Sequence, residues 1–193
     1  LQKPEVSIKT LAIFFEKLSI LLSTQDWFGK HISRENIELY FKKYYTVFWN
    51  HYFKMQIPFL TRWKIVFGDL ESWVIWANIG INQSLNLEKI SKNKNEKINL
   101  SKFEIKNPYL TNVQKNEPDQ GVNASSIAEI SGIPRATVLR KLKKLVSEKA
   151  IRRNKKLEYV LTNQGKLNET IQANYVINQK YIALFVTDIF NLI

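Results

Sequence analysis

The side chains in this sequence best suited to chemistry are cations, and they are concentrated. Residues 121–166 hold Arg135, Arg140, Lys141, Lys143, Lys144, Lys149, Arg152, Arg153, Lys155, Lys156 and Lys166 against Glu129, Glu148 and Glu158, a net +8 of the chain's +12. A merely solvated surface would spread that excess over all 193 residues. Clustered donors are what phosphate backbones and base edges require. Catalytic constellations are hard to find by comparison. The chain has no Cys, which removes thiolate nucleophiles, disulfides and thiolate metal sites, and its two histidines, His31 and His51, have no carboxylate at metal-ligand spacing. Both read as incidental surface or part-buried residues. Glu35 and Glu38 stand three apart as an acid–base pair can, but Lys42 and Lys43 beside them point to a salt-bridged, solvated helix face. No Gly-rich phosphate loop, Gly-x-Ser-x-Gly elbow or His-Glu-x-x-His is present. The expectation is a protein that is not an enzyme and uses no cofactor or metal.

The elements that must position these cations are short. Ser126-x-x-Glu129 reads as a capping box opening a helix in which Ile127, Ala128 and Ile130 face inward. Gly132 supplies a tight turn and Pro134 stands where a second helix begins. In that helix Val138, Leu142 and Leu145 pack against the first, so Arg135, Thr137, Arg140, Lys141 and Lys144 are expected to project outward. This is a helix-turn-helix pattern, and a helix of this width fits the ~12 Å major groove. Directly downstream, Ile151 starts a strand, Asn154-Lys155 suits a turn, and Leu157, Tyr159 and Leu161 alternate with Glu158 and Val160 as a second strand would. The result is a hairpin with a basic tip, a wing, on which Arg152, Arg153, Lys155 and Lys156 can reach a flanking phosphate or the minor groove.

From Ile127 to Arg153, and on through Leu161-Thr-Asn-Gln-Gly-Lys166, the sequence resembles the winged-helix core of the MarR family of bacterial transcriptional regulators. The match covers about a quarter of the chain. The family resemblance implies a homodimer whose terminal helices interlock, each protomer reading half of a pseudo-palindromic operator. Carried onto this sequence, the recognition-helix contacts fall on Arg135, Ala136, Thr137 and Arg140, and the wing contacts on Arg153, Asn154, Lys155 and Lys156. Pro134 departs from the family's usual capping Ser, and Ala150 from its usual Gly. About 120 residues precede the helix-turn-helix where the family has one or two helices, so the family's ligand site is not carried over.

That N-terminal region is aromatic. Of 24 aromatic residues 19 lie before residue 121, including Trp27, Trp49, Trp63, Trp73 and Trp76. The rings either build a core and a dimer interface, or line a pocket for a small apolar effector that shifts the spacing of two recognition helices. Apolar spacing predicts helices over residues 6–22, 33–53 and 60–81, with Pro58 as an interruption, and a last helix over 168–190. Four regions follow: an aromatic helical region 1–81, an Asn/Lys-rich connector 82–120, the winged helix-turn-helix 121–166 and a C-terminal dimerisation helix 167–193. The fold class expected is mainly α with a small β-hairpin. No apolar run approaches the ~18–20 residues that span a bilayer. The partners expected are double-stranded DNA and a second copy of the chain, with no membrane and a cytoplasmic location. Two rival readings stay open: a winged helix used as a protein-interaction or nonspecific nucleic-acid-binding module, and an RNA- or single-strand-binding protein that stacks bases on its N-terminal rings.

Overall fold

The computed structural model describes residues 4–24, 31–93, 121–162 and 164–193, with backbone alone for 4–7 and 87–93. Trp27 and connector residues 94–120 lie outside them. The order is α1 (Pro4–Ser23), α2 (Arg34–Lys43), α3 (Tyr45–Phe67), α4 (Leu70–Asn93), α5 (Ala124–Ser131), α6 (Arg135–Ser147), β1 (Ile151–Arg153), β2 (Tyr159–Leu161) and α7 (Lys166–Leu192). The chain is mainly helical with one two-stranded antiparallel hairpin, as the sequence predicts. Two compact units divide it, one of Leu1–Ile57 and Tyr181–Ile193, the other of Pro58–Lys180.

In the first unit, α1 presents Ile8, Ala12 and Phe15 at helical spacing to a core completed by Ile37, Phe41, Phe48, Phe185 and Ile189. Phe15 is its centre, meeting Phe41, Phe185 and Phe190 edge-on with centroids 5.6–5.8 Å apart. Ser33 caps α2 by accepting from the Asn36 amide. The helix predicted over 33–53 is broken at Tyr44, which leaves helical dihedrals at φ −111, ψ 36. The hydrogen-bond ladder continues through the break, and Phe41 and Phe48, seven residues apart, bring their rings to 4.1 Å.

Pro58, expected to interrupt, lies inside α3. Its missing N–H and its clash with the preceding turn cost a helix interior about 3 kcal/mol. Packing on both sides of it, Phe48 and Tyr52 in one core and Phe59, Trp63 and Phe67 in the other, holds the helix through that penalty. The interruption falls instead at Gly68-Asp69. Gly68 takes φ +81, and Asp69 caps α4 by accepting from the Ser72 amide at 2.8 Å and the Ser72 hydroxyl at 3.1 Å. Helix α4 then runs to Asn93, so the connector expected from residue 82 begins no earlier than 94.

The second unit is the winged helix, and its core starts well before residue 121. Trp63, Phe67, Ile75, Trp76 and Ile79 from α3 and α4 share one cluster with Ile127, Val138, Leu142, Leu145, Ile151, Leu161 and Ile171. The boundaries drawn at 81 and 121 therefore do not separate packing units. Hairpin register pairs Ile151 with Leu161, Arg152 with Val160 and Arg153 with Tyr159. On the other edge of β2, Val122 exchanges both backbone hydrogen bonds with Tyr159. Gln83 of α4 accepts from the Leu161 amide at 2.9 Å, which anchors the sheet to the helices.

Candidate nucleic-acid interface

The turn of the helix-turn-helix is built as its residues require. Gly132 closes α5 in the left-handed region at φ 69, and Pro134 stands immediately before α6 with φ −53. The cap of α5 differs from expectation. Asn123 accepts from the Ser126 amide at 2.9 Å, so Ser126 is a donor to the cap and not its acceptor. Ile130, expected inside, is 68% exposed.

On α6 the buried face is Val138, Lys141, Leu142 and Leu145. At 100° per residue the opposite face centres on Ala136, Arg140 and Lys143, all exposed. Arg140 and Lys143 make no hydrogen bond or ion pair among the described residues, so their donors face solvent. Arg135 is exposed at the start of α6, its Nε donating to Ser125 Oγ at 3.1 Å, and Thr137 is half-buried.

Two residues expected on the outward face are engaged by the fold, one of them buried and the other still exposed. Lys141 is buried, its Nζ 2.6 Å from Asp69 Oδ2 and 3.6 Å from Glu71 Oε2. Lys144 Nζ donates to the Phe67 carbonyl at 3.1 Å and lies 3.8 Å from Glu148. The two lysines fasten the α3–α4 turn onto α6: one neutralises the acid that caps α4, the other satisfies an orphan carbonyl at the end of α3. Burial pushes the Asp69 carboxyl up, but the hydrogen bond from Lys141 and those from Ser72 outweigh it and hold the group below the usual carboxylate range.

The wing is a five-residue turn closed by Asn154 N–H donating to Glu158 O at 2.9 Å. Asn154, assigned to DNA by the resemblance, is engaged by the turn: its Oδ1 accepts from the Lys156 and Glu158 amides at 3.0 and 2.9 Å. Its Nδ2 donates to Glu158 Oε2 at 3.1 Å. The Glu158 carboxyl is lowered by the Gly121 amide at 2.9 Å, then by Asn154 and the Lys156 charge. Arg153 is exposed but shaped by Tyr159, whose hydroxyl accepts from its guanidinium at 2.9 Å while the ring lies 5.0 Å beneath it. Arg152 is half-buried. Lys155 and Lys156 are exposed at the tip. The exposed cations of α6 and the wing are thus Arg135, Arg140, Lys143, Lys144, Arg153, Lys155 and Lys156, with Lys144 tied back to Phe67, all within the second unit.

No family model, curated protein or solved structure matches this chain. The Leu161-Thr-x-x-Gly165 run nevertheless has a local reason here. Gly165 takes φ +86, and a Cβ on it would lie 2.8 Å from the Glu148 carbonyl. Asn168 then donates to the Lys149 and Gln164 carbonyls, tying the start of α7 to the end of α6.

Elsewhere the chemistry-bearing residues behave as packing and surface groups. Glu38 pairs with Arg34 at 2.9 Å, not with Lys42. His51 has a carboxylate partner that the sequence hid, Asp188 at 2.8 Å from Nδ1, contributed from 137 residues away. Among the described residues no three His, Cys, Asp or Glu side chains are grouped to hold a metal ion. No described helix is long and apolar enough to cross a membrane. A cleft beside Tyr40, Phe48 and Ile189 encloses ≈ 200 Å³, open solvent included, less than the ~300–1,000 Å³ of typical small-molecule sites. The aromatic rings divide: Phe15, Phe41, Phe48, Trp63, Phe67 and Trp76 are buried in the cores, whereas Phe14, Tyr44, Tyr45 and Phe53 are exposed.

Proposed function

We propose that this chain is a double-stranded DNA-binding transcriptional regulator of winged-helix type, acting in the cytoplasm as a homodimer on a pseudo-palindromic site. The observation that carries the reading is the outward face of α6. Arg140 and Lys143 stand exposed on either side of Ala136 on a helix whose opposite face is anchored in the core, with the Lys155–Lys156 tip in the same unit. Small Ala136 leaves room for close approach to base edges, while Arg140 has the planar fork that pairs bidentately with guanine. Exposed apolar side chains on α1 (Phe14, Ile20, Leu21) and on α7 (Ile182, Leu184) supply surface for a second copy. The resemblance to MarR regulators agrees with this assignment. Burial removes Phe15, Phe48, Trp63 and Phe67 from base stacking, which would fall to the exposed Phe14, Tyr44, Tyr45 and Phe53.

The test is anisotropy of labelled double- and single-stranded DNA titrated with the full chain over a salt series. Duplex binding that weakens linearly in log affinity against log salt, and weakens with Arg140→Ala, is the expected result. Equal affinity for single strands, or no effect of Arg140→Ala, contradicts the reading.

A further inference from the structure

The wing tip breaks a backbone rule at one residue. Asn154 N–H donates to Glu158 O and Leu157 N–H donates to Asn154 O at 3.0 Å, so residues 154–157 form a turn that ends on Leu157 at φ +61. In a three-residue hairpin loop this left-handed bulge position favours Gly, because a Cβ crowds the following carbonyl. Leucine gains little burial in exchange. It is 67% exposed, whereas Tyr159, Val160 and Leu161 just beyond it are buried. The turn is held rigid around it by the three Asn154 side-chain hydrogen bonds and by Glu158, whose carboxylate is occupied by Gly121 and Asn154. The tip therefore offers one protruding apolar side chain directly after two exposed ammonium groups, Lys155 and Lys156. Lys149 shares this left-handed backbone at φ 56, so what singles out Leu157 is an exposed apolar side chain at the tip of a turn locked by side-chain hydrogen bonds.

Two cations beside a protruding leucine match a narrow groove with phosphate walls better than an apolar protein pocket, which would have to desolvate both lysines. We propose that Leu157 is an apolar wedge, inserted by the wing into the minor groove of bound duplex at a base step that opens easily. The wing thereby reads deformability where α6 reads base edges. The inference rests on the DNA-binding reading above. Steps of T followed by A open most readily, and the guanine amino group obstructs the minor-groove floor, so the wedge favours alternating A·T over alternating G·C duplex.

The experiment uses the full chain, Leu157→Gly, and the double variant Lys155→Ala/Lys156→Ala. The probes are alternating A·T and G·C duplexes, with 2-aminopurine replacing one adenine of the former. The native protein is expected to raise 2-aminopurine fluorescence by unstacking it and to prefer the A·T duplex by about tenfold. Leu157→Gly loses the rise and the preference, yet melts no lower than the native chain because Gly suits φ +61. A Leu157→Gly variant that keeps both signals overturns the wedge and leaves DNA binding standing. An unchanged salt slope in the double lysine variant removes the wing from DNA, and the wedge with it, while sparing α6. Failure of the native chain to bind either duplex overturns the DNA-binding reading itself, and the wedge falls with it.

Discussion

Replacing Lys141 by Ala separates what this residue does for the fold from what it does for DNA. The lysine Nζ stands 2.6 Å from Asp69 and 3.6 Å from Glu71, with side-chain exposures of 9% for Lys141, 33% for Asp69 and 51% for Glu71. Breaking a fully buried pair costs about 3–5 kcal/mol and an exposed one about 0–1 kcal/mol. With one partner buried and the other a third exposed and screened by solvent, Lys141→Ala is placed at about 2 kcal/mol, part of it lost packing of the lysine stem. Asp69 keeps its two bonds from Ser72, so the cap on α4 survives the substitution. For a chain of this size the loss lowers the melting temperature by about 4–8 °C. The assay is a thermal melt by circular dichroism, paired with DNA anisotropy against salt well below the melt. Stability is expected to fall while the salt slope stays at its native value, because this ammonium meets no phosphate. An unchanged melt together with a slope shallower by about one counterion would instead place Lys141 on a phosphate.

Arg140→Ala is expected to do the reverse, leaving the melting temperature in place and weakening preferred DNA sites by about 1–3 kcal/mol with relaxed sequence preference; equal weakening of all sequences would make it a phosphate anchor. Lys155→Ala and Lys156→Ala should each weaken all duplexes alike and reduce the salt slope by about 1 in an anisotropy series. Gly165→Ala puts a Cβ 2.8 Å from the Glu148 carbonyl at φ +86 and should destabilise by about 2 kcal/mol or more in urea titration; a native-like midpoint contradicts that contact. The Asp69 carboxyl is lowered in the fold, so its stabilising contribution is complete above the ordinary carboxylate value of about 3.9 and is lost as pH falls through the lower folded value. Acid titration should therefore show stability falling below about pH 4, less steeply in Asp69→Asn; parallel curves would remove this carboxylate from the acid response.

What the sequence discloses about this protein is what is decided locally. Gly132 and Pro134 fix a turn within three residues, and the Asn154 turn closes within five, so the helix-turn-helix and the presence of a hairpin are legible from residue types. Leu157, however, expected in the second strand, lies in the turn at φ +61, and β2 is buried at all three positions instead of alternating because Val122 and α4 cover it. The helix over 168–190 is legible because its apolar spacing is sustained, and α7 extends it by only two residues at each end. The signals at Gly68 and Asp69 were equally local, a left-handed stop followed by a capping acid, but the apolar run on both sides masked them. Pro58 misleads for the opposite reason, because packing from outside the segment outweighs its local preference.

The partners of Lys141 and Lys144 were not legible. Helical spacing puts Lys141, three residues after Val138 and four before Leu145, on the flank of the buried face and Lys144 beside the outward one, but only the α3–α4 turn, more than 70 residues upstream, supplies the groups that engage them. Lys143 is the compensating omission: counted among the basic residues but not among the site residues, it lies nearer the centre of the exposed face than either. His51 and Asp188 show the same limit, a pair joined across 137 residues.

Sequence-specific recognition of duplex DNA by two copies of α6 is open to a single measurement, selection from a random double-stranded library at near-physiological salt. The expected result is an enriched inverted repeat with half-sites about one helical turn, ~34 Å, apart, and loss of that enrichment with Arg140→Ala. Salt-dependent retention of the library with no sequence enriched would contradict it.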